Sequence, residues 1–140
     1  MADEMALLVA DVYELAGLLR RSGEAIAARE GQTQARWQFL SVISGDALTV
    51  PQAARRLGVT RQAVQRVANE LVDDGLAELV ANPDHRTSPL VSLTDDGRGV
   101  LARINKRAAV ENTRLAQAAG VEAVRSARRA VRRLTAALQG

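Results

Sequence analysis

Residues 48–97 read LTVPQAARRLGVTRQAVQRVANELVDDGLAELVANPDHRTSPLVSLTDDG, and this stretch decides the fold. It opens with a helix start. Thr49 stands at a capping position, Gln52 three residues later completes a capping box, and Pro51 sits in the first turn where its missing N–H costs little. The helix carries Ala53, Ala54 and Leu57 and is closed by Gly58. After Val59, Thr60 caps a second helix whose apolar positions are Val64, Val67, Ala68 and Leu71, and Gly75 ends it. Two short helices joined through Gly58-Val59-Thr60 make a helix-turn-helix. Two short apolar-rich runs follow, 76–80 and 90–93, and the residues from Asn82 to Pro89 between them are turn chemistry throughout. They predict a β-hairpin with a long tip, and hairpin plus helix pair is a winged helix-turn-helix.

The flanks read as helices. Residues 2–29 place Leu8, Val12, Leu15 and Leu19 at intervals of three and four. Thr33 caps a second helix with Trp37, Leu40 and Ile43 on one face, ending near residues 44–46. Downstream, Thr94 caps a long helix with Val100, Leu101, Ile104 and Ala108 inward. A break near Gly120 precedes a last helix in which Val124, Ala127, Val131, Leu134 and Leu138 form a narrow apolar seam suited to helix–helix packing. The expected fold is mainly α with a small β-hairpin wing. Residues 31–97 are assigned to the winged helix-turn-helix and residues 1–30 and 98–140 to a helical dimerisation region, within a single compact domain overall.

Composition narrows the chemistry. The chain has 140 residues, 47% apolar and 25% charged, which is ordinary globular balance. Cysteine is absent, which excludes disulfides, thiolate nucleophiles and thiol redox sensing. His85 is the only histidine, so a multi-histidine metal centre is excluded, and neither metal nor cofactor is expected. No uncharged apolar run approaches the roughly 18 residues of a membrane span. Asp3 and Glu4 stand where a signal peptide would be basic, so a cytoplasmic protein without a membrane partner is expected. The net charge of +3 is uneven: residues 99–140 hold nine basic residues against Glu111 and Glu122, while residues 1–98 carry an acidic excess. Eighteen of the nineteen basic residues are Arg. Guanidinium forks suit phosphate and base edges, although GC-rich codon usage gives the same bias.

The helix after Thr60 carries the candidate reading face. Arg61, Gln65 and Asn69 form one outward stripe, and Gln62 and Arg66 the next. Arg pairs with guanine through two acceptors, and Gln or Asn with adenine through one donor and one acceptor. A solvated surface helix would carry the same residue types; the flanking capped helix and the wing favour nucleic acid. At the wing tip Arg86 is suited to a narrow minor groove, with Asp84 placed to hold its guanidinium. His85 between them reads as facing solvent or phosphate. A mobile tip with an incidental ion pair is the bland alternative.

These residues resemble the multiple antibiotic resistance regulator (MarR) family of bacterial transcription factors. The matching pieces are Thr60-Arg61 at the start of the reading helix, Leu71-Val72-Asp73-Asp74-Gly75-Leu76 at its end, the Asp-x-Arg of Asp84-His85-Arg86, and Leu93-Thr94-Asp95-Asp96-Gly97 opening the long helix. Leu79 and Val80 depart from it, because basic residues often occupy those places. The resemblance implies a homodimeric regulator bound to a pseudo-palindromic site in double-stranded DNA. A repressor is expected, relieved by a small aromatic or anionic molecule bound between dimer region and reading module. The DNA-contacting set is then Thr49, Gln52, Thr60, Arg61, Gln62, Gln65, Arg66, Asn69, Asp84 and Arg86. Tyr13, Arg36 and Trp37 are the candidate ligand-pocket residues, with plain core packing the competing role for Trp37. Leu8, Val12 and Leu15 with Val124, Val131, Leu134 and Leu138 are assigned to the dimer interface. Asp3, Glu4, Asp11 and Glu14 are placed to face Arg125, Arg128, Arg129 and Arg132 across chains. No catalytic set or glycine-rich phosphate loop is present, so no enzyme is expected. The alternative is a winged-helix protein-interaction module that has lost specific DNA binding.

Overall fold

The structure is a computed structural model and describes residues 3–140. Its elements are α1 (Glu4–Ala28), α2 (Gln34–Val42), α3 (Val50–Leu57), α4 (Arg61–Asp73), β1 (Ala77–Val80), β2 (Leu90–Leu93), α5 (Asp95–Ala119) and α6 (Val121–Gln139). Type and order follow the sequence reading. Ala2, expected at the start of the first helix, lies outside the described residues. The chain forms two units, residues 1–105 and 106–140, with the division falling inside α5.

The helix starts are set by local hydrogen bonds. The Asp3 carboxylate accepts from the N–H groups of Met5 and Ala6 at 2.9 and 3.2 Å. Thr33 Oγ1 accepts from Arg36 N–H at 3.1 Å and Thr60 Oγ1 from Ala63 N–H at 3.1 Å. At α3 the reciprocal box is complete: Gln52 N–H donates to Thr49 Oγ1 at 3.2 Å, and Thr49 N–H donates to Gln52 Oε1 at 2.9 Å. Gly58 closes α3 at φ 69°, a left-handed position that favours glycine.

In the first unit α2, α3 and α4 pack around Phe39, Leu40 and Ile43, with Ala53 and Ala54 of α3 and Val64, Ala68 and Leu71 of α4. The wing closes the other side through Leu76, Ala77, Val91 and Leu93, and α5 adds Val100, Leu101 and Ile104. Phe39, absent from the inner face read from sequence, is 1% exposed and among the largest fully buried side chains. β1 and β2 pair antiparallel from Ala77↔Leu93 to Val80↔Leu90. A bridge between Leu48 and Val91, with N–H···O distances of 3.2 and 2.7 Å, ties the wing to the chain entering α3. Only the C-terminal part of α1 is buried, at Gly23 and Ala27; Leu8, Val12, Leu15 and Leu19 are exposed.

In the second unit Gly120, at φ 95°, separates α5 from α6, and α6 buries no residue. Val124, Val131 and Leu138 of its seam are exposed, while Leu134 is half-buried. On α5 the Arg114 guanidinium donates to both carboxylate oxygens of Glu111, at 3.0 and 2.5 Å. This hydrogen bonding holds the Glu111 carboxyl below its usual range.

Wing, α4 and α5 meet at one tight point. Thr94 Oγ1 donates to the Gly75 carbonyl at 2.7 Å and accepts from Gly97 N–H at 3.0 Å. A Cβ at Gly97 would lie 2.0 Å from the Leu76 carbonyl oxygen and 3.2 Å from Leu93 Cδ2. Overpacking of this kind costs about 1–3 kcal/mol. Gly97→Ala is expected to lower the thermal midpoint, followed by circular dichroism, by about 5 °C. An unchanged midpoint would contradict the close approach.

Candidate nucleic-acid interface

The inner face of α4 fixes its outer one. With Val64, Ala68 and Leu71 buried, the 3.6-residue period turns Arg61, Gln62, Gln65, Arg66 and Asn69 outward, and all five are exposed. Gln65 Nε2–H donates to Asn69 Oδ1 at 2.9 Å along this face. Arg61, Gln62 and Gln65 border a groove of about 350 Å³, faced by Leu79, Pro89 and Val91 of the wing and by Val50 and Pro51 at the start of α3. Thr49 is buried and its hydroxyl and the Gln52 amide are engaged with each other's backbone. Thr49, Gln52 and Thr60 thus all serve as caps in this structure.

The wing tip is organised by Asn82. Its Nδ2–H donates to the Ser88 carbonyl at 3.0 Å, and its Oδ1 accepts from Asp84 N–H at 3.1 Å. This is the Asx geometry that an Asn-Pro-Asp sequence favours, in keeping with the turn chemistry of residues 82–89. Asp84, His85 and Arg86 are exposed. Among the described residues no ion pair joins Asp84 to Arg86, so the tip places Arg86 through backbone geometry.

The three candidate pocket residues are not brought together. Trp37 lines a cavity of about 530 Å³ with Gln34, Gln38, Ser41, Val42, Leu57 and Asn105, and its Nε1–H donates to Asn105 Oδ1 at 3.0 Å. Trp37 also packs against the core, the competing role weighed for it. Tyr13 is 75% exposed on α1 and does not line this cavity. Arg36 turns to the far end of α4: it bonds the Asp74 carboxylate and lies 3.8 Å from Glu70. At 14% side-chain exposure it is the most enclosed cation of the described ion pairs. The clamp offsets acidic charge at the C-terminal end of α4 and leaves the outward face carrying Arg61 and Arg66. Nothing in the local sequence reports it, because its partners stand 34 and 38 residues away.

Comparison with known proteins agrees with this geometry. A family model described as MarR family matches residues 30–86. An uncharacterized protein of Mycobacterium tuberculosis is 68% identical over 139 residues, covering 99% of this chain and 97% of that protein. A MarR family transcriptional regulator from Streptomyces coelicolor superposes with a TM-score of 0.84 at 22% identity, over 99% of this chain and 97% of that one. The transcriptional repressor CouR, solved bound to a 23-mer DNA duplex, gives 0.77 at 25% identity, over 98% and 96%. Residues 30–86 thus match the MarR family, and the chain has the fold of MarR-family winged-helix transcriptional regulators, which are not enzymes.

The clamp can be tested by itself. Arg36→Met keeps the aliphatic stem and leaves Asp74 and Glu70 unpaired. Because both carboxylates are about half exposed, the expected cost is about 1–2 kcal/mol, well below that of breaking a fully buried pair. Denaturant unfolding should show that loss, and adding Asp74→Asn should cost little more. Full additivity of the two substitutions would refute the coupling.

Proposed function

We propose that the chain is a homodimeric, sequence-specific DNA-binding transcriptional repressor acting in the cytoplasm. The observation that carries this is the face of α4. Its five polar residues with base-pairing chemistry stand exposed in the same helix whose opposite side is sealed into the core, and the Arg86 tip lies on the adjoining wing. CouR, similar in fold along nearly its whole length, was solved on a duplex, which supports the same use here. Arg61, Gln62, Gln65, Arg66 and Asn69 are assigned to the major groove and Arg86 to the minor groove. Thr49, Gln52 and Thr60 present helix N-termini to phosphate, and Asp84 shapes the tip.

One reading helix spans too few base pairs to select a genomic site. A twofold pair doubles the readout and demands a pseudo-palindrome with half-sites about one helical turn apart. Residues 1–30 and 98–140 are assigned to that pairing. In support, Leu8, Val12 and Leu15 of α1 and Val124, Val131 and Leu138 of α6 are apolar side chains the chain leaves in water. Arg125 and Arg129 bond Glu122 and Ser126 on their own helix, whereas Arg128 and Arg132 have no partner among the described residues. These two are therefore assigned to the acidic residues of α1 in the partner copy. The cavity beside Trp37 is assigned to a small aromatic effector stacked on the indole. Its binding would shift the spacing of the two heads, which is a coupling between two sites.

Two measurements test the reading. Arg61→Ala together with Arg86→Ala should weaken binding to a sequence selected from a random duplex pool by about tenfold or more, with the dimer intact by light scattering. Equal binding by the double variant would favour the protein-interaction module. Charge reversal at Arg128 and Arg132 to Glu should shift the light-scattering mass toward one chain at micromolar concentration. An unchanged dimer constant would leave these arginines as solvated surface.

A further inference from the structure

We infer that Gln65 and Asn69 act as one unit in which Gln65 reads an adenine and Asn69 is a positioning residue that sets the glutamine amide. The inference rests on the DNA-reading function above and divides roles that the outward stripe alone leaves equal. The two residues stand one helical turn apart, and Gln65 Nε2–H donates to Asn69 Oδ1 at 2.9 Å. One of the two hydrogens on Gln65 Nε2 is thereby used. What the amide still offers is Oε1 and the second hydrogen, the acceptor–donor fork that fits N6–H and N7 of adenine. Asn69 Oδ1 gives one of its two lone pairs to Gln65, which ties that oxygen along the helix axis toward Gln65. The division of roles therefore rests on where each amide stands.

The surroundings make that division. Gln65 borders the groove between α4 and the wing, together with Arg61, Gln62 and Leu79, whereas Asn69 does not line it. Gln65 is thus bounded by Asn69 on one side and by the groove on the other. A glutamine side chain has three torsions to freeze on binding, and freezing them costs affinity. The bond to Asn69 orders the amide beforehand and chooses which of its two ends faces outward. An amide turned the other way would offer donors where N6–H needs an acceptor. The predicted result is discrimination at one base position that depends on a residue not touching that base.

The test is selection from a random-sequence duplex pool by the full-length wild type and by single variants, each checked for an unchanged thermal midpoint. Wild type should enrich a palindrome with an adenine column in each half-site. Gln65→Ala should lower the preference for adenine in that column by roughly tenfold. Asn69→Ala should loosen the same column by about fivefold and no other. Asn69→Asp keeps an acceptor and cannot donate, so it should preserve the adenine preference while weakening affinity for all sequences alike. Asn69→Lys supplies only donors, should turn the amide over, and should lose the preference even as overall affinity rises.

Adenine preference that survives Asn69→Ala and Asn69→Lys unchanged would overturn the positioning role. So would an Asn69→Ala effect confined to a different column, because Asn69 would then read its own base. A column indifferent to Gln65→Ala would overturn the inference while leaving DNA reading intact. Failure of the wild type to enrich any sequence would instead overturn the functional reading on which the pair depends.

Discussion

Burial of Val64, Ala68 and Leu71 against the α2 and α3 core sets the rotation of α4, and the rest of the molecule depends on that setting. A fully buried Val or Leu side chain contributes about 1.5–3 kcal/mol relative to exposure. Turning the helix by one residue, about 100°, would expose these side chains and hide Arg61 or Gln65. The core therefore selects which face of α4 is turned outward as well as holding the helix. The ends are fixed separately: Thr60 caps the start, Arg36 clamps the finish, and Thr94 joins Gly75 to the entry of α5. The wing is registered to the same body by four strand pairs and the Leu48–Val91 bridge.

The second unit follows a different logic. α6 buries nothing within one copy of the chain, and most of α1 is likewise exposed. A helix that carries a regular apolar seam and leaves it in water is stabilised by propensity and local pairs alone, which is marginal for isolated helices. Ion pairs at i, i+3 such as Glu111–Arg114 and Glu122–Arg125 contribute only modestly on exposed faces. A second copy is the partner we propose for these seams, and twofold pairing is also what a palindromic DNA site requires.

Much of this was legible in the sequence, and the physical reason is locality. Caps at Thr33, Thr49, Thr60 and Thr94 act over three residues, and helical and strand periods repeat within a few turns, so each leaves a local signature. Phe39 lies off the face that Trp37, Leu40 and Ile43 define by helical spacing, so periodicity alone does not mark it as buried. The Leu48–Val91 bridge is a single residue and has no period to detect. Arg36 looked like an anion partner for a ligand, whereas its charge is taken up by Asp74 and Glu70 from α4, and only the folded backbone brings them together. The expected pairing of Asp84 with Arg86 is absent among the described residues for the opposite reason. Proximity in sequence did not make a bond, and Asn82 orders the tip instead.

The central claim is that two copies of this chain present two α4 helices to one duplex. Sedimentation of the protein with a duplex carrying its selected palindrome measures this directly. The account predicts a complex whose mass corresponds to two chains on one duplex, with no stable one-chain species as protein is titrated in. A single chain bound per duplex, or a dimer that sediments apart from every duplex at low salt, would contradict it.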